Sequence, residues 1–316
     1  MVVWAADIGG TNIRLAIVRR NKIVARTVIP AMAPLGLRAA LKRMVGVWTQ
    51  LHADPRITTE KISAIGLAIP GIVNPQTGQI YPMPKGKFAD APRLFAGPLL
   101  QKILPVAPFW CNDAHAALAG EHRFGAAKGA KNVVLITLGT GIGTAVMLDG
   151  RPLFGAHGMA GNVGGHTTID IRGAACLCGN IGCAETRAST WMLPELAQGI
   201  SGFNGSSLAS LPLIDFENLF AHAAAGDAAA QKILNQCLHT WAVLVCNLIH
   251  QYDPELVLLG GGIGSQHKAI FPFIRRFAKQ HSWAKWPLDI RPAMLGPDAG
   301  LIGIAHLAAL NRGRVR

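Results

Sequence analysis

Apolar residues run unbroken from Val2 to Ala6, give way to Asp7-Ile8-Gly9-Gly10-Thr11-Asn12, and resume as Ile13-Arg14-Leu15-Ala16-Ile17-Val18 with only loose alternation. That pattern predicts a strand, a glycine-rich tip and a second strand, a β-hairpin. The same grammar returns at Val133 to Thr137, Leu138-Gly139-Thr140-Gly141-Ile142-Gly143 and Thr144 to Leu148, closing on an Asp149-Gly150 turn. Two glycine-tipped hairpins so far apart predict a duplicated domain.

Between the hairpins the spacing predicts a helix over Leu37 to Leu51, a strand over Ile62 to Ile69 and a Pro/Gly-rich loop from Pro70 to Pro84. A strand at Phe109 to Cys111 passes through Asn112-Asp113 into an Ala-rich helix. Further on lie the amphipathic segment Ala228 to Tyr252, a strand at Leu256 to Leu259, the run Gly260-Gly261-Gly262-Ile263-Gly264 and a last helix near Gly300 to Asn311. Strands alternating with helices in each half predict an α/β fold with one sheet per domain.

At 316 residues, 50% hydrophobic and 15% charged, the chain is long enough for two packed domains and too apolar for intrinsic disorder. Lys+Arg 30 against Asp+Glu 17 leaves +13, which suits nucleic acid, anionic lipid or polyanionic substrates without choosing among them. No basic run exceeds pairs such as Arg19-Arg20 and Arg275-Arg276, so the charge is diffuse and no nucleic-acid partner is expected. Asn132 to Leu148 and Ile233 to Tyr252 approach membrane length, but glycines interrupt the first and Gln236, His239, Asn247 and His250 the second. Both are expected in a core, with no membrane association. No basic segment precedes the first apolar run and Asp7 cuts it short, so no secretory signal is expected. Six cysteines, three of them within eight residues, suit metal in a reducing cytoplasm better than a disulfide framework.

The glycine tips carry the first candidate chemistry. A phosphate must be met by backbone N–H groups at close range, and a Cβ blocks that approach. Gly9, Gly10 and Thr11 can form such a cradle, with Asp7 placed to hold Mg²⁺ through water; the alternative is a tight hairpin turn that merely needs glycine. Neither tip is a Walker A loop or a dinucleotide fingerprint, because the glycines join two strands and not a strand to a helix.

His166 followed by Cys176-Leu177-Cys178-Gly179-Asn180-Ile181-Gly182-Cys183 is the second constellation. Three thiolates and an imidazole are the four ligands of a closed tetrahedral Zn²⁺ site, so structural zinc on His166, Cys176, Cys178 and Cys183 is expected, the alternative being three reduced core cysteines. The second ring nitrogen of His166 can then reach a substrate. Asn112-Asp113 is the third. As a helix cap the pair is fully explained; the functional reading makes Asp113 the base that takes a proton from a hydroxyl attacking a phosphoryl group, with Asn112 orienting the substrate. On these residues alone the cap reading wins.

Taken in order, Asp7-Ile8-Gly9-Gly10-Thr11-Asn12, Ile69-Pro70-Gly71, Asn112-Asp113, Leu138-Gly139-Thr140-Gly141-Ile142-Gly143 and Cys-x-Cys-Gly-x-x-Gly-Cys-x-Glu ending at Glu185 resemble the ROK family of repressors, open reading frames and sugar kinases. The resemblance spans nearly the whole chain, and the cysteine signature is its most specific part. It implies an actin-like ATPase (ribonuclease H-like) fold, two α/β domains flanking a cleft, with a zinc knuckle in the second. The expected domains are 1–114, completed by a C-terminal helix over about 300–316, and 115–299. By the resemblance ATP sits against Asp7, Gly9, Gly10, Thr11, Asn12, Thr140, Gly141, Gly260, Gly261 and Gly262, with Mg²⁺. Asp113 becomes the general base on a hexose or N-acyl-hexosamine hydroxyl, usually the 6-OH, and Gly71, Asn112, Asn162, His166 and Glu185 join it on the sugar. A cytoplasmic homodimer is the family expectation. Transcriptional members carry an N-terminal DNA-binding module, and none is expected ahead of the phosphate hairpin here.

Two departures matter. Kinases of the family commonly read Ala-Gly-Glu-(apolar)-Gly-His, whereas this chain has Ala160-Gly161-Asn162-Val163-Gly164-Gly165-His166: one extra residue, and an amide that both donates and accepts where a sugar-binding Glu is usual. The loop Tyr81-Pro82-Met83-Pro84-Lys85-Gly86 lacks the Asn often found there. Both weaken a glucokinase assignment and leave the kinase expectation intact. A non-catalytic sugar-sensing protein is the alternative; a polyphosphate donor suited to the +13 charge is a third reading.

Overall fold

The computed structural model describes residues 1–57, 59–82, 88–93, 103–265 and 267–312. Most of the loop expected to contact sugar, at 83–86, and the end of the helix expected to reach 316 lie outside them. The strands are β1 (Val2–Ile8), β2 (Asn12–Arg19), β3 (Lys22–Pro30), β4 (Ile62–Ile69), β5 (Pro108–Asn112), β6 (Val133–Leu138), β7 (Ile142–Leu148), β8 (Arg151–Pro152), β9 (Leu256–Gly260) and β10 (Asp289–Pro292). The α-helices are α1 (Leu37–His52), α2 (Asp113–Phe124), α3 (Ala184–Ala188), α4 (Leu193–Gln198), α5 (Phe216–Ala224), α6 (Ala228–Tyr252), α7 (His267–His281) and α8 (Ala299–Leu310).

The chain divides into two compact units. One comprises Met1–Gly129, Arg151–Asn162 and Met294–Arg316, the other Ala130–Gly150 and Val163–Ala293. The boundary expected after residue 114 is therefore displaced: it would cut α2 just after its first turn begins, whereas α2 packs along α8 inside the first unit. The segment Arg151–Asn162 also belongs there. Asn74 Nδ2 donates to the Ala156 carbonyl at 3.0 Å, and the His115 ring meets the Leu153 carbonyl at 3.0 Å.

In the first unit the sheet order is β3-β2-β1-β4-β5, with β1 to β3 antiparallel and β4 and β5 parallel to β1. The unbroken apolar run of β1 follows from burial on both faces. Val2, Trp4, Ala6 and Ile8 join the core over α1, where Trp4 stacks on Trp48 at 5.3 Å between ring centroids. Val3 and Ala5 face the other core, with Ala16, Ala64, Ala68, Leu301 and Ile304. So many alanines on that face let helices come close. Gly120 of α2 and Gly303 of α8 complete the approach: a Cβ on Gly303 would lie 1.7 Å from the Ala116 carbonyl oxygen, and one on Gly120 2.3 Å from that of Ala299.

In the second unit the order is β10-β9-β6-β7, β7 antiparallel to β6, β9 parallel to β6 and β10 parallel to β9. Substituting β6, β7, β9 and β10 for β1, β2, β4 and β5 reproduces that part of the first sheet's order and directions, which is the duplication the two hairpins predict. Each unit is thus a mixed-sheet α/β layer. The long helix α6 starts on Asp227, whose carboxylate accepts the Ala230 N–H at 2.9 Å, and ends on Asp253 in the left-handed region at φ 44°. Its Ile233, Cys237, Trp241, Leu244, Val245 and Leu248 are buried, so this stretch of membrane length is core. No described helix is long and apolar enough to cross a membrane.

Candidate active site

Parallel strands β1, β4 and β5 end on one edge of the first sheet, the edge where α/β sheets take ligands. Register sets Asp7 of β1 level with Ala68 of β4 and Ala68 level with Cys111 of β5. Asn112 then caps α2: its Oδ1 accepts the N–H groups of Ala114 at 2.9 Å and His115 at 3.4 Å. Its Nδ2 donates to the Gly71 carbonyl at 2.9 Å, tying the turn after β4 to the start of α2. The cap reading thus holds for Asn112, and one amide hydrogen remains to it.

Asp113, the first residue of α2, is partly buried and accepts the Ala114 N–H at 2.9 Å. Loss of hydration and, after it, the charge of Asp7 raise its carboxyl from 3.8 to about 6. Burial raises Asp7 as well, offset by Arg14, its cross-strand partner, whose Nη1 donates to Asp7 Oδ2 at 3.3 Å. Asn162 is buried at 7% exposure. Its Nδ2 donates to the Gly158 carbonyl at 2.9 Å, which settles the orientation of the amide, and its Oδ1 has no partner among the described residues. His115 is buried too, and loss of hydration lowers it to about 4.

In the second unit, β6 and β9 end side by side, with Thr137 level with Gly260. Gly261 takes φ 84°, and a Cβ there would lie 2.2 Å from the Leu138 carbonyl oxygen; only glycine fits. Two of the three glycine-rich turns are therefore neighbours. Glu185, on α3, bridges to the same place: its Oε2 accepts the Ile142 N–H at 2.9 Å and its Oε1 the Trp191 indole N–H at 3.1 Å.

The candidate metal ligands also assemble. A tetrahedral ion with metal–sulfur bonds near 2.3 Å sets sulfurs about 3.8 Å apart. Here Cys178 Sγ lies 3.7 Å from Cys183 Sγ, and Cys176 Sγ 3.6 Å from His166 Nδ1. All four ligand atoms fall within 4.8 Å of one another. Burial, and then the neighbouring thiols, raise the Cys183 thiol, a crowding that a cation displacing the protons relieves. Asn180 Nδ2 donates to the His166 carbonyl at 3.1 Å and holds the knuckle closed. The set is compatible with zinc, and with Nδ1 facing the sulfurs the Nε2 edge of His166 points away from them.

Compared with known proteins, residues 3–310 match the ROK family. The chain belongs to the ROK family. It is 30% identical over 305 residues to a glucokinase of Halalkalibacterium halodurans, covering 94% of this chain and 92% of that one. It is 32% identical over 312 residues to an N-acetylmannosamine kinase of Citrobacter koseri, covering 98% and 99%. The crystal structure of a ROK hexokinase from Thermus thermophilus superposes with a TM-score of 0.78 at 29% identity, covering 98% of this chain and 99% of that one.

Within this ROK protein, the first unit brings together Asp7, Gly71, Asn112 and Asp113, and the second brings together Gly141 with Glu185, Leu138 with Gly261, and the four metal-ligand candidates. Sequence reasoning missed Arg14, although hairpin register makes it the partner of Asp7. It also missed Trp191 on Glu185, which no periodicity announces. The His115 ring is buried against Phe154 with ring centroids 4.8 Å apart.

Proposed function

We propose that this ROK protein is an ATP-dependent sugar kinase that phosphorylates a hexose or N-acyl-hexosamine at its 6-hydroxyl, with Asp113 as general base. The single observation that supports this most is the lift of Asp113 to about 6 at a strand end beside Asp7. A base poised just below neutral pH takes a proton in the transition state and stays ionised in the resting enzyme. Asp113 accepts the hydroxyl proton as the sugar oxygen bonds to the terminal phosphorus and ADP leaves. A protein that only senses sugar has no use for both the metal-side carboxylate Asp7 and the base Asp113.

In this reading Asn112 and Gly71 align the hydroxyl, Asn162 offers its unpartnered Oδ1 to a sugar donor group, and His166 and Glu185 take further hydroxyls. Gly9, Gly10, Thr11 and Asn12 and the turns at Thr140-Gly141 and Gly260 to Gly262 hold the nucleotide phosphates through backbone N–H groups. Built on Gly139 or Gly262, a Cβ meets nothing within 4 Å, so both turns leave room for a ligand beside the backbone. Asp7 would hold Mg²⁺, which supplies charge neutralisation at the phosphates. His166, Cys176, Cys178 and Cys183 would hold structural zinc. A homodimer is the assembly this reading includes.

The test is turnover of Asp113→Asn with ATP, Mg²⁺ and a panel of hexoses and N-acyl-hexosamines ranked by kcat/KM. The parent should phosphorylate at least one, and the variant should lose turnover while still binding both substrates. Unchanged turnover removes Asp113 from the mechanism; no turnover by the parent on any sugar removes the kinase reading.

A further inference from the structure

The most deeply buried carboxylate of the first unit lies on the same helix as Asp113 and has no part in the chemistry above. Glu121, in the last turn of α2, is 0% exposed. Its Oε1 accepts the N–H groups of Met294 at 2.8 Å and Leu295 at 2.7 Å, and its Oε2 accepts that of Ala126 at 2.8 Å. Its carbonyl takes Gly125 and Ala127. One residue therefore gathers the chain leaving α2 and the chain about to enter α8. Hiding a carboxylate from water is costly, and three backbone donors on one group are the arrangement that makes it tolerable.

What those two helices carry gives the gathering its meaning. α2 begins with Asp113. α8 crosses α2 at Gly120 and Gly303, and at its own start Gly300 lies against Asp7, where a Cβ would come 3.3 Å from the carboxylate carbon. The segment that Glu121 grips, Met294-Leu295, lies just before that start. The α8 entry thus adjoins Asp7, while α2 carries Asp113.

We propose that Glu121 is a positioning residue: by clamping the α2 exit to the α8 entry it sets the distance between Asp7 and Asp113, and with it the turnover rate. The proposal rests on the reading of Asp113 as base. Glu121 touches neither sugar nor nucleotide in this account; it acts through the crossing of two helices.

Glu121→Gln keeps volume and one acceptor but turns a donor toward the Ala126 N–H, and Glu121→Ala removes the clamp. In both, amide hydrogen exchange at Ala126, Met294 and Leu295 should quicken. kcat should fall about tenfold to a hundredfold, since small displacements of reacting groups cost that much, while KM for sugar stays within about twofold. Asp227→Asn is the control: it weakens a comparable clamp in the second unit, where Asp227 accepts from Ser206, Ser207 and Ala230, and should lower Tm with kcat retained. If Glu121→Ala loses stability as the control does and keeps kcat, Glu121 is only structural and the proposal falls. Unchanged exchange at the three amides also overturns it. Retained turnover in Asp113→Asn overturns instead the reading underneath, whatever Glu121 does.

Discussion

Asp7 and Asp113 stand at the ends of two strands of one sheet, separated by β4, and the negative charge of Asp7 is, after burial, the main reason the Asp113 carboxyl rises to about 6. In the proposed reaction the two groups would have separate tasks: Asp7, held to Arg14, would carry the cation, and Asp113 would take the proton from the attacking hydroxyl. The same arrangement destabilises the fold.

The acid limb of the kcat/KM profile should therefore fall with an apparent pKa near 6 and a slope of about one decade per pH unit, because only ionised Asp113 accepts a proton. A rate profile with sugar and ATP saturation checked at each pH measures it. A flat profile down to pH 5 would show that no group with this affinity is needed.

Stability should move in the opposite direction. The folded-state carboxyl is raised from 3.8 to about 6, so folding disfavours its ionised form; the penalty is complete above pH 6 and vanishes below pH 3.8, where both states are protonated. A shift of that size is worth roughly 3 kcal/mol. Asp113→Asn should accordingly melt higher than the parent at pH 7 to 8, and the two should converge toward pH 4. Scanning calorimetry of the ligand-free proteins gives the comparison.

On the proposed reading the knuckle holds zinc, and removing one thiol should release it. Cys178→Ser is expected to purify with less than one equivalent of zinc and to lose on the order of 10 °C in Tm, what about 3 kcal/mol makes in a domain of this size. Metal analysis and thermal melts decide it. A metal-free variant with full stability and activity would make the cluster dispensable.

The glycine crossing offers a test of packing. Gly303→Ala places a methyl 1.7 Å from the Ala116 carbonyl oxygen, and because that atom is backbone α2 or α8 must move. Overpacking of this kind costs about 3 kcal/mol, and the displacement reaches Asp113 at the head of α2. Urea unfolding and kcat measured on the same preparation should fall together.

Much of the layout was legible in the chain. The strand at Ile62–Ile69 and the helix at Ala228–Tyr252 have the bounds that periodicity predicts, since each is long and bounded by turn or capping residues. β3 escaped because its alternately exposed and half-buried residues give a weak edge-strand pattern, and β10 because four residues are too few to carry a period. α7 escaped for another reason: Pro272 interrupts its amphipathic pattern from inside the helix.

What the amino-acid order determined by itself is local: glycine-tipped hairpins, a cap at Asn112, and a run of cysteines whose spacing lets one ion gather them. Such features depend on neighbours within a few residues, and residue type alone specifies them. Only the tertiary structure decided that the charge of Asp7 acts on Asp113, that Glu185 closes on the Ile142 N–H and the Trp191 indole, and that Arg151–Asn162 returns to the first unit. Those relationships arise from sheet register and helix crossing between segments far apart in sequence, where the electrostatic and packing terms come from partners that periodicity does not name.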